Sequence, residues 1–255
     1  SHSQSVGLVR EDNEDSLFAL TGMNAGDSEQ NNFGLFVVAD GMGGHQQGER
    51  ASTIAAQSVA KVVGNYIFSK MLEEIQESCD NKTLMDLMRS ALIAANDDVT
   101  NRVPGGGTTL TALLLIGSNA IVGHVGDSRA YMVDSGKLLQ LTKDHSLVQK
   151  LYDLGEIAST GIENHPRRNI LLRAVGQSDI LEVDVSEQYV ESGSIFLLCT
   201  DGLWGCMAEE DILMIMMDSS NLQEACDNLT KEANKAGGLD NITSLIVKYD
   251  YGNSK

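Results

Sequence analysis

Phe33-Gly-Leu-Phe-Val-Val-Ala-Asp40-Gly-Met-Gly-Gly44-His45 is an apolar run that ends in a carboxylate, three glycines within four residues and a histidine. An apolar run of this length reads as a strand buried on both faces. A carboxylate at its end needs a partner, because buried charge is costly unless it is paired or holds a cation. The glycines let backbone approach an ion or a phosphate closely. The stretch therefore reads as a strand that delivers Asp40 to a site.

The pattern recurs along the chain. Ala120-Ile-Val-Gly-His-Val-Gly126-Asp127 and Ile195-Phe-Leu-Leu-Cys-Thr200-Asp201-Gly202 both run from apolar residues into an aspartate, and Asp240-Asn241 precedes the apolar run Ile242 to Val247. Any one of these aspartates alone reads as a turn or cap residue. Four at the edges of the most hydrophobic runs are different, because converging carboxylates repel unless cations sit between them. Oxygen ligands suit a hard ion, Mg2+ or Mn2+, better than zinc.

The flanking segments supply the frame. Residues 4–20 read as two short strands around the polar segment Arg10 to Asp15. A helical pattern starts near Gly48 and runs, with a break, towards Cys79, and a second begins at a cap on Thr83. Strand signals follow at 108–116, 120–125, 129–133 and 138–141, and their short turns imply an antiparallel meander. Residues 142–176 are mixed and polar, an excursion that caps a cleft. Strands return at 180–189 and 194–200, helical patterns at 208–217 and 221–236, and a last strand at 242–249. A helix pair near each end, with strands between and around them, predicts two packed sheets with helices outside, an α+β fold.

Composition narrows the function. The chain has 255 residues, 42% hydrophobic and 21% charged, which is ordinary for a globular protein with a substantial core. Its formal net charge of -18 argues against nucleic acid as a partner. The apolar runs are too short to span a bilayer, and the N-terminus lacks the charged-then-apolar order of a secretory signal. Cys79, Cys199, Cys206 and Cys226 show no metal or disulfide spacing, and Cys199 and Cys226 read as small buried hydrophobes. These features together point to the cytoplasm.

Carboxylates from separate strands that gather two divalent ions about 3.5–4 Å apart make a site for phosphoester hydrolysis, because the ions acidify a bridging water and clamp developing charge. No nucleophilic side chain is then required, and no Gly-x-Ser-x-Gly, Walker or Gly-x-Gly-x-x-Gly segment is present.

In this the chain resembles the metal-dependent type 2C protein serine/threonine phosphatases, in their bacterial branch. The motifs that carry the resemblance are Arg10-x-x-Asn13-Glu14-Asp15, Val38-Ala-Asp40-Gly-Met-Gly-Gly-His45, Gly107-Thr-Thr109, Gly123-His-Val-Gly-Asp127-Ser-Arg129, Leu141-Thr-x-Asp144-His145-Ser146, Asn164-His-Pro-Arg-Arg-Asn169, Cys199-Thr-Asp201-Gly-Leu203 and Asp240-Asn241. They stand in the family's order, which makes the set far more specific than any member.

The resemblance implies a four-layer αββα sandwich over residues 1–255, with a flap at about 142–176 and the metal cluster in a cleft at one end. By it Asp40 bridges two Mn2+ or Mg2+ ions and the Gly41 carbonyl binds one of them. Asp201 and Asp240 complete the first ion's shell, Glu14 and Asp15 serve the second directly or through water, and Asp127 with Asp201 holds a third, weaker ion. Arg10 binds the substrate phosphate, and Arg167 and Arg168 meet the substrate protein.

One position departs from the family. Animal members carry a histidine directly after the Asp-Gly pair as general acid, and here that position is Met42. His45 is the nearest substitute, and it reads equally as a histidine that steadies the glycine turn. His124 reads as core, His145 and His165 as hydrogen-bonding flap residues, and Arg129 as the partner of an acidic neighbour.

The implied activity is hydrolysis of phosphoserine and phosphothreonine on proteins by a metal-bridging hydroxide, with targets of a Ser/Thr kinase as substrates and a monomer as the default state. A binding module of the same fold without turnover is the rival, and the complete carboxylate set opposes it. A metal-dependent nuclease is opposed by the acidic balance.

Overall fold

The computed structural model describes residues 1–22, 32–44, 46–72, 80–158, 161 and 165–250. One sheet is built from β1 (His2–Ser5), β7 (Arg129–Asp134), β8 (Lys137–Gln140), β10 (Ser194–Cys199) and β11 (Ile242–Tyr249), in the order β1-β11-β10-β7-β8. The other runs β2-β3-β5-β6-β9, from β2 (Asp15–Gly22), β3 (Phe33–Met42), β5 (Leu110–Ile116), β6 (Asn119–Val125) and β9 (Asp184–Tyr189), with the short β4 (Gly107–Thr108) paired to the end of β3. Every pairing is antiparallel.

Helices α1 (Gln46–Leu72) and α2 (Asn81–Arg102) cover the second sheet, and α5 (Glu209–Asp218) and α6 (Leu222–Lys235) cover the first. Two shorter helices, α3 (Leu147–Asp153) and α4 (Asp201–Trp204), lie in the connections. Three apolar layers follow: helix pair on sheet, sheet on sheet, and sheet on helix pair. This is the expected α+β four-layer αββα sandwich.

Strand periodicity explains how the layers place the site. In β3, Leu35, Val37 and Ala39 face the helices, while Phe36 and Val38 face the opposite sheet. With a period of two, Asp40 continues the row between the sheets. The same count carries Leu198 to Thr200 at the end of β10 and Leu245 to Thr243 in β11, and puts Asp15 beside Leu17 in β2. One end of the inter-sheet layer therefore exchanges its apolar side chains for carboxylates and hydroxyls.

Three expectations change. The meander over 108–141 is broken: β6 pairs with β5 and β9, whereas β7 pairs with β8 and β10 in the other sheet. The chain crosses between sheets at Gly126-Asp127-Ser128, where Gly126 takes φ 109°, a conformation natural to glycine. A tight link between apolar runs looks the same in sequence whether it closes a hairpin or changes sheets. The cap of α2 is Asp80, whose side chain accepts from the Thr83 amide at 2.6 Å, so Thr83 lies inside the first turn. Asp201, read as a strand end, starts the one-turn helix α4.

Candidate active site

Asp40 sits at the centre of the polar end of the sandwich. Its amide donates to Thr109 Oγ1 at 2.9 Å, and its carbonyl accepts from Thr108 Oγ1 and from the Thr109 amide, both at 2.9 Å. The Asp40 backbone is thus held by the Gly107-Thr-Thr109 segment. Burial, followed by the charges of Asp15, Asp201, Asp127 and Asp240, pushes the Asp40 carboxyl well above the usual carboxylate range. Those same neighbours are the aspartates that the sequence singled out, so the structure brings them together.

Asp15 lies opposite Asp40 in the β2–β3 pairing and is 7% exposed. Its Oδ2 accepts from Thr200 Oγ1 at 2.9 Å and from Thr243 Oγ1 at 2.6 Å, hydroxyls that reach across from the other sheet. Burial pushes its carboxyl up to about 7 against the pull of those two hydrogen bonds. Asp201 is pushed up to about 6, first by burial and then by Asp240, with a hydrogen bond to Asp40 and the charges of Arg168 and Arg10 opposing. Asp127 is 5% exposed, and burial with the charge of Asp201 raises it well above its ordinary value.

The remaining ligand candidates ring this centre. The Glu14 carbonyl accepts from the Gly41 amide at 3.1 Å. A Cβ on Gly41 would stand 2.2 Å from the Gly48 carbonyl, so only glycine fits where strand, helix and the Glu14 loop meet. Asp240 pairs with Arg10 at 2.7 Å, the guanidinium half exposed. Asn241 ties the loop down: its Oδ1 accepts from the Glu14 amide at 2.8 Å and its Nδ2 donates to the Val6 and Asp12 carbonyls, each at 2.9 Å.

The other expectations are placed as follows. His45 and Asn164 lie outside the described residues. Arg168 acts electrostatically on Asp201, whereas Arg167 is exposed on the surface beside it. His124 is core as read, 2% exposed, with Nε2 donating to the Lys143 carbonyl at 3.2 Å. His165 Nδ1 accepts from the Arg167 amide at 3.1 Å. Arg129 meets its acidic neighbour Asp144 at 2.8 Å. Cys199 and Cys226 are buried thiols, and Cys206 is partly buried.

Sequence reasoning missed the hydroxyl partners Thr200, Thr243 and Thr109. For Thr200 and Thr243 the signal was available in the alternation that sets both on the inter-sheet face.

The donor set suits divalent metal. Asp15 Oδ1 and Asp201 Oδ1 are buried and have no hydrogen-bond partner. That arrangement is expensive unless a cation completes it. Among the described residues no three acidic, His or Cys side chains close into a ready-made cage. Mg2+ and Mn2+ sites commonly leave part of the shell to water, which such spacing allows. Glu14, Asp15, Asp40, the Gly41 carbonyl, Asp127, Asp201 and Asp240 are the groups available. Converging oxygen donors beside an exposed guanidinium can hold divalent ions and receive a phosphoryl group.

Comparison with known proteins agrees with this chemistry. Residues 2–151 match the protein phosphatase 2C family. Over 245 residues, 96% of this chain and 93% of its relative, the sequence is 37% identical to the serine/threonine phosphatase stp of Listeria monocytogenes. The fold matches the crystal structure of the Mycobacterium tuberculosis serine/threonine phosphatase PstP/Ppp with a TM-score of 0.82 at 31% identity, over 98% of both chains. It also matches the catalytic domain of the serine/threonine protein phosphatase PstP, solved with two manganese ions, with a TM-score of 0.77 at 30% identity over 96% of this chain and 95% of that one.

Proposed function

The chain belongs to the bacterial branch of the protein phosphatase 2C family and is a metal-dependent protein serine/threonine phosphatase, and we propose which of its residues carry that activity. The reading rests on one observation above the rest: aspartates from both sheets meet at one end of the sandwich with buried oxygens left without hydrogen bonds.

When bound, the divalent ions supply an acidified water and charge neutralisation at the phosphoryl group. Asp40 would hold the ions from the centre, with Asp201 and Asp240 on one side and Glu14 and Asp15 on the other, and the Gly41 carbonyl would bind one of them. Asp127 and Asp201 would take a third, weaker ion. Thr109 keeps the Asp40 backbone in place. Asp240 anchors one arm of Arg10, and the remaining guanidinium donors bind the substrate phosphate as a fork. Residues 142–176 form the flap of a single catalytic domain spanning 1–255, where Arg168 and Arg167 meet the phosphoprotein. His45 stands after the glycine turn as the candidate proton donor to the leaving alkoxide. The substrates are phosphoproteins made by a Ser/Thr kinase, and the enzyme works as a cytoplasmic monomer. No helix among the described residues is long and apolar enough to cross a membrane.

The test is hydrolysis of p-nitrophenyl phosphate and a phosphothreonine peptide with Mn2+, with Mg2+ and with EDTA. Activity should appear with Mn2+ and vanish with EDTA. Asp40→Asn and Asp201→Asn should each lower kcat by roughly 10³-fold, the scale of losing a preorganised electrostatic group at the reacting centre, with circular dichroism unchanged. Full activity in either variant would remove that residue from the site.

A further inference from the structure

The sheet-crossing segment Gly126-Asp127-Ser128 has no strand ladder of its own, yet its polar groups are tied on every side. Thr111 Oγ1 donates to the Ser128 carbonyl at 2.9 Å, and Ser128 Oγ lies 2.6 Å from Thr109 Oγ1. His145 engages Gly126 twice: the His145 amide donates to the Gly126 carbonyl at 2.7 Å, and the Gly126 amide donates to His145 Nδ1 at 3.2 Å. An amide can only donate, so Nδ1 is the acceptor and Nε2 carries the ring proton. That proton faces Asp184 Oδ2 at 3.1 Å, and Arg173 Nη1, 3.3 Å from the same ring nitrogen, donates to the other Asp184 oxygen at 3.1 Å.

Asp127 is held from the opposite direction. The Trp204 indole donates from Nε1 to the Asp127 carbonyl at 3.0 Å. Trp204 ends α4, the one-turn helix that starts with Asp201. The ring cannot drift, because the Arg129 guanidinium stacks on it, 3.6 Å from its centroid. Arg129 is in turn locked by a bidentate bond to Asp144, through Nε at 3.0 Å and Nη2 at 2.8 Å, and by Nη1 on the Tyr131 hydroxyl at 3.0 Å. Asp144 directly precedes His145, so the two holds share a support. A chain of contacts thus runs from the partly buried Trp204 and Arg129 through Asp144 to His145 and encloses the Gly126 and Asp127 peptides.

We propose that Trp204 and His145 are positioning residues for Asp127: they clamp its peptide from two sides and set its carboxylate against Asp201, so that an ion between the two carboxylates finds them as one rigid pair. The inference rests on the reading of Asp127 and Asp201 as an ion-binding pair. It gives the Asp144-His145-Ser146 motif and Arg129 a shared purpose that neither the metal shell nor phosphate binding accounts for. Groups that orient ligands from behind usually change metal affinity by roughly 10- to 100-fold. Trp204 is also the only tryptophan in the chain, so its emission reports on this one position.

The experiment is a Mn2+ titration of metal-stripped enzyme, followed by calorimetry for wild type, D127A, W204F, H145L and H145N, and by tryptophan emission for those that keep Trp204. In wild type, emission should change in the phase that fills the weakest site, and D127A should lose that phase. W204F keeps an aromatic ring under Arg129 but removes the N–H with the pyrrole part of the indole, and H145L removes the acceptor for the Gly126 amide. Each should weaken the weakest site by about tenfold or more while the tighter sites stay within about twofold. H145N restores an acceptor at the δ position and should recover most of the loss. Wild-type affinity at the weakest site in both W204F and H145L, with that site lost in D127A, would overturn the clamp and leave the ion-binding pair standing. D127A that keeps every site would overturn the pair and the clamp together. Thermal unfolding in EDTA establishes that each variant is folded, and the wild-type emission titration tests the proposal without any variant.

Discussion

Asp15 and Asp40 stand directly opposite one another in the antiparallel pairing of β2 with β3, both at the polar end of the inter-sheet layer. Two carboxylates so placed repel, and Asp127, Asp201 and Asp240 add to the repulsion. Thr200 and Thr243 satisfy one oxygen of Asp15, while its other oxygen and Asp201 Oδ1 are buried without a hydrogen-bond partner.

Removing the ions should therefore make stability depend on pH in a defined direction. Asp15, pushed up to about 7, and Asp201, pushed up to about 6, hold protons in the ion-free fold that an unfolded chain, titrating near 3.9, has already released. Their contribution is full below about pH 4 and is lost as pH rises through about 6 and 7. In EDTA the Tm should fall from pH 5 to pH 8. Mn2+ should restore it more at pH 8, so the gap between loaded and stripped protein should widen with pH. A gap that stays constant across this range would contradict the repulsion argument.

His124 should act with the opposite sign. Burial holds its imidazole at about 3, whereas the unfolded chain takes up the proton near 6.5. Its contribution is full above about pH 6.5 and is lost as pH falls towards 3, at up to about 1.4 kcal/mol per pH unit. His124→Gln cannot take that charge. Urea unfolding of both proteins in EDTA cancels the carboxylates, and the wild type should lose stability relative to His124→Gln between pH 7 and pH 5.

Gly48 should trade metal affinity against helix stability. A Cβ there would lie 2.8 Å from Glu14 Cδ and 2.9–3.0 Å from its carboxylate oxygens, so alanine displaces a movable side-chain end rather than backbone. Gly48→Ala should keep the fold or gain up to about 1 kcal/mol in α1. The Mn2+ concentration for half-maximal activity should rise by about tenfold. An unchanged Mn2+ requirement would take Glu14 out of the metal shell.

The two flap arginines should not be equivalent. Arg168 acts on Asp201, while Arg167 is exposed beside it. Arg168→Ala should lower kcat/KM on a phosphothreonine protein by about fivefold, the scale of roughly 1 kcal/mol from one charged contact. Arg167→Ala should cost less, and p-nitrophenyl phosphate should register neither loss in full. Equal losses on the small ester and the protein would count against a flap contact with substrate.

Much of the site was legible before the fold. Apolar runs ending in Asp40, Asp127 and Asp201, and Asp240 preceding another, are local patterns, and alternation along β3 places Asp40 in the row of Phe36 and Val38. Strand and helix identities were legible for the same reason, since periodicity and turn residues act between near neighbours. That carboxylates, with no nucleophile motif beside them, are the candidates for the chemistry also followed from residue types alone.

The tertiary structure decided what depends on distant partners. The break of the meander at Gly126-Asp127-Ser128 is set by which strand each run meets, and both sheets offered an apolar face. Thr200 and Thr243 reach Asp15 across 185 and 228 residues of chain, and Arg10 reaches Asp240 across 230. No local pattern encodes such pairings, because they form only when the two sheets close on each other and leave polar groups that must find partners in the same layer. Strand chemistry is a property of neighbours in sequence, and the site's wiring is a property of packing.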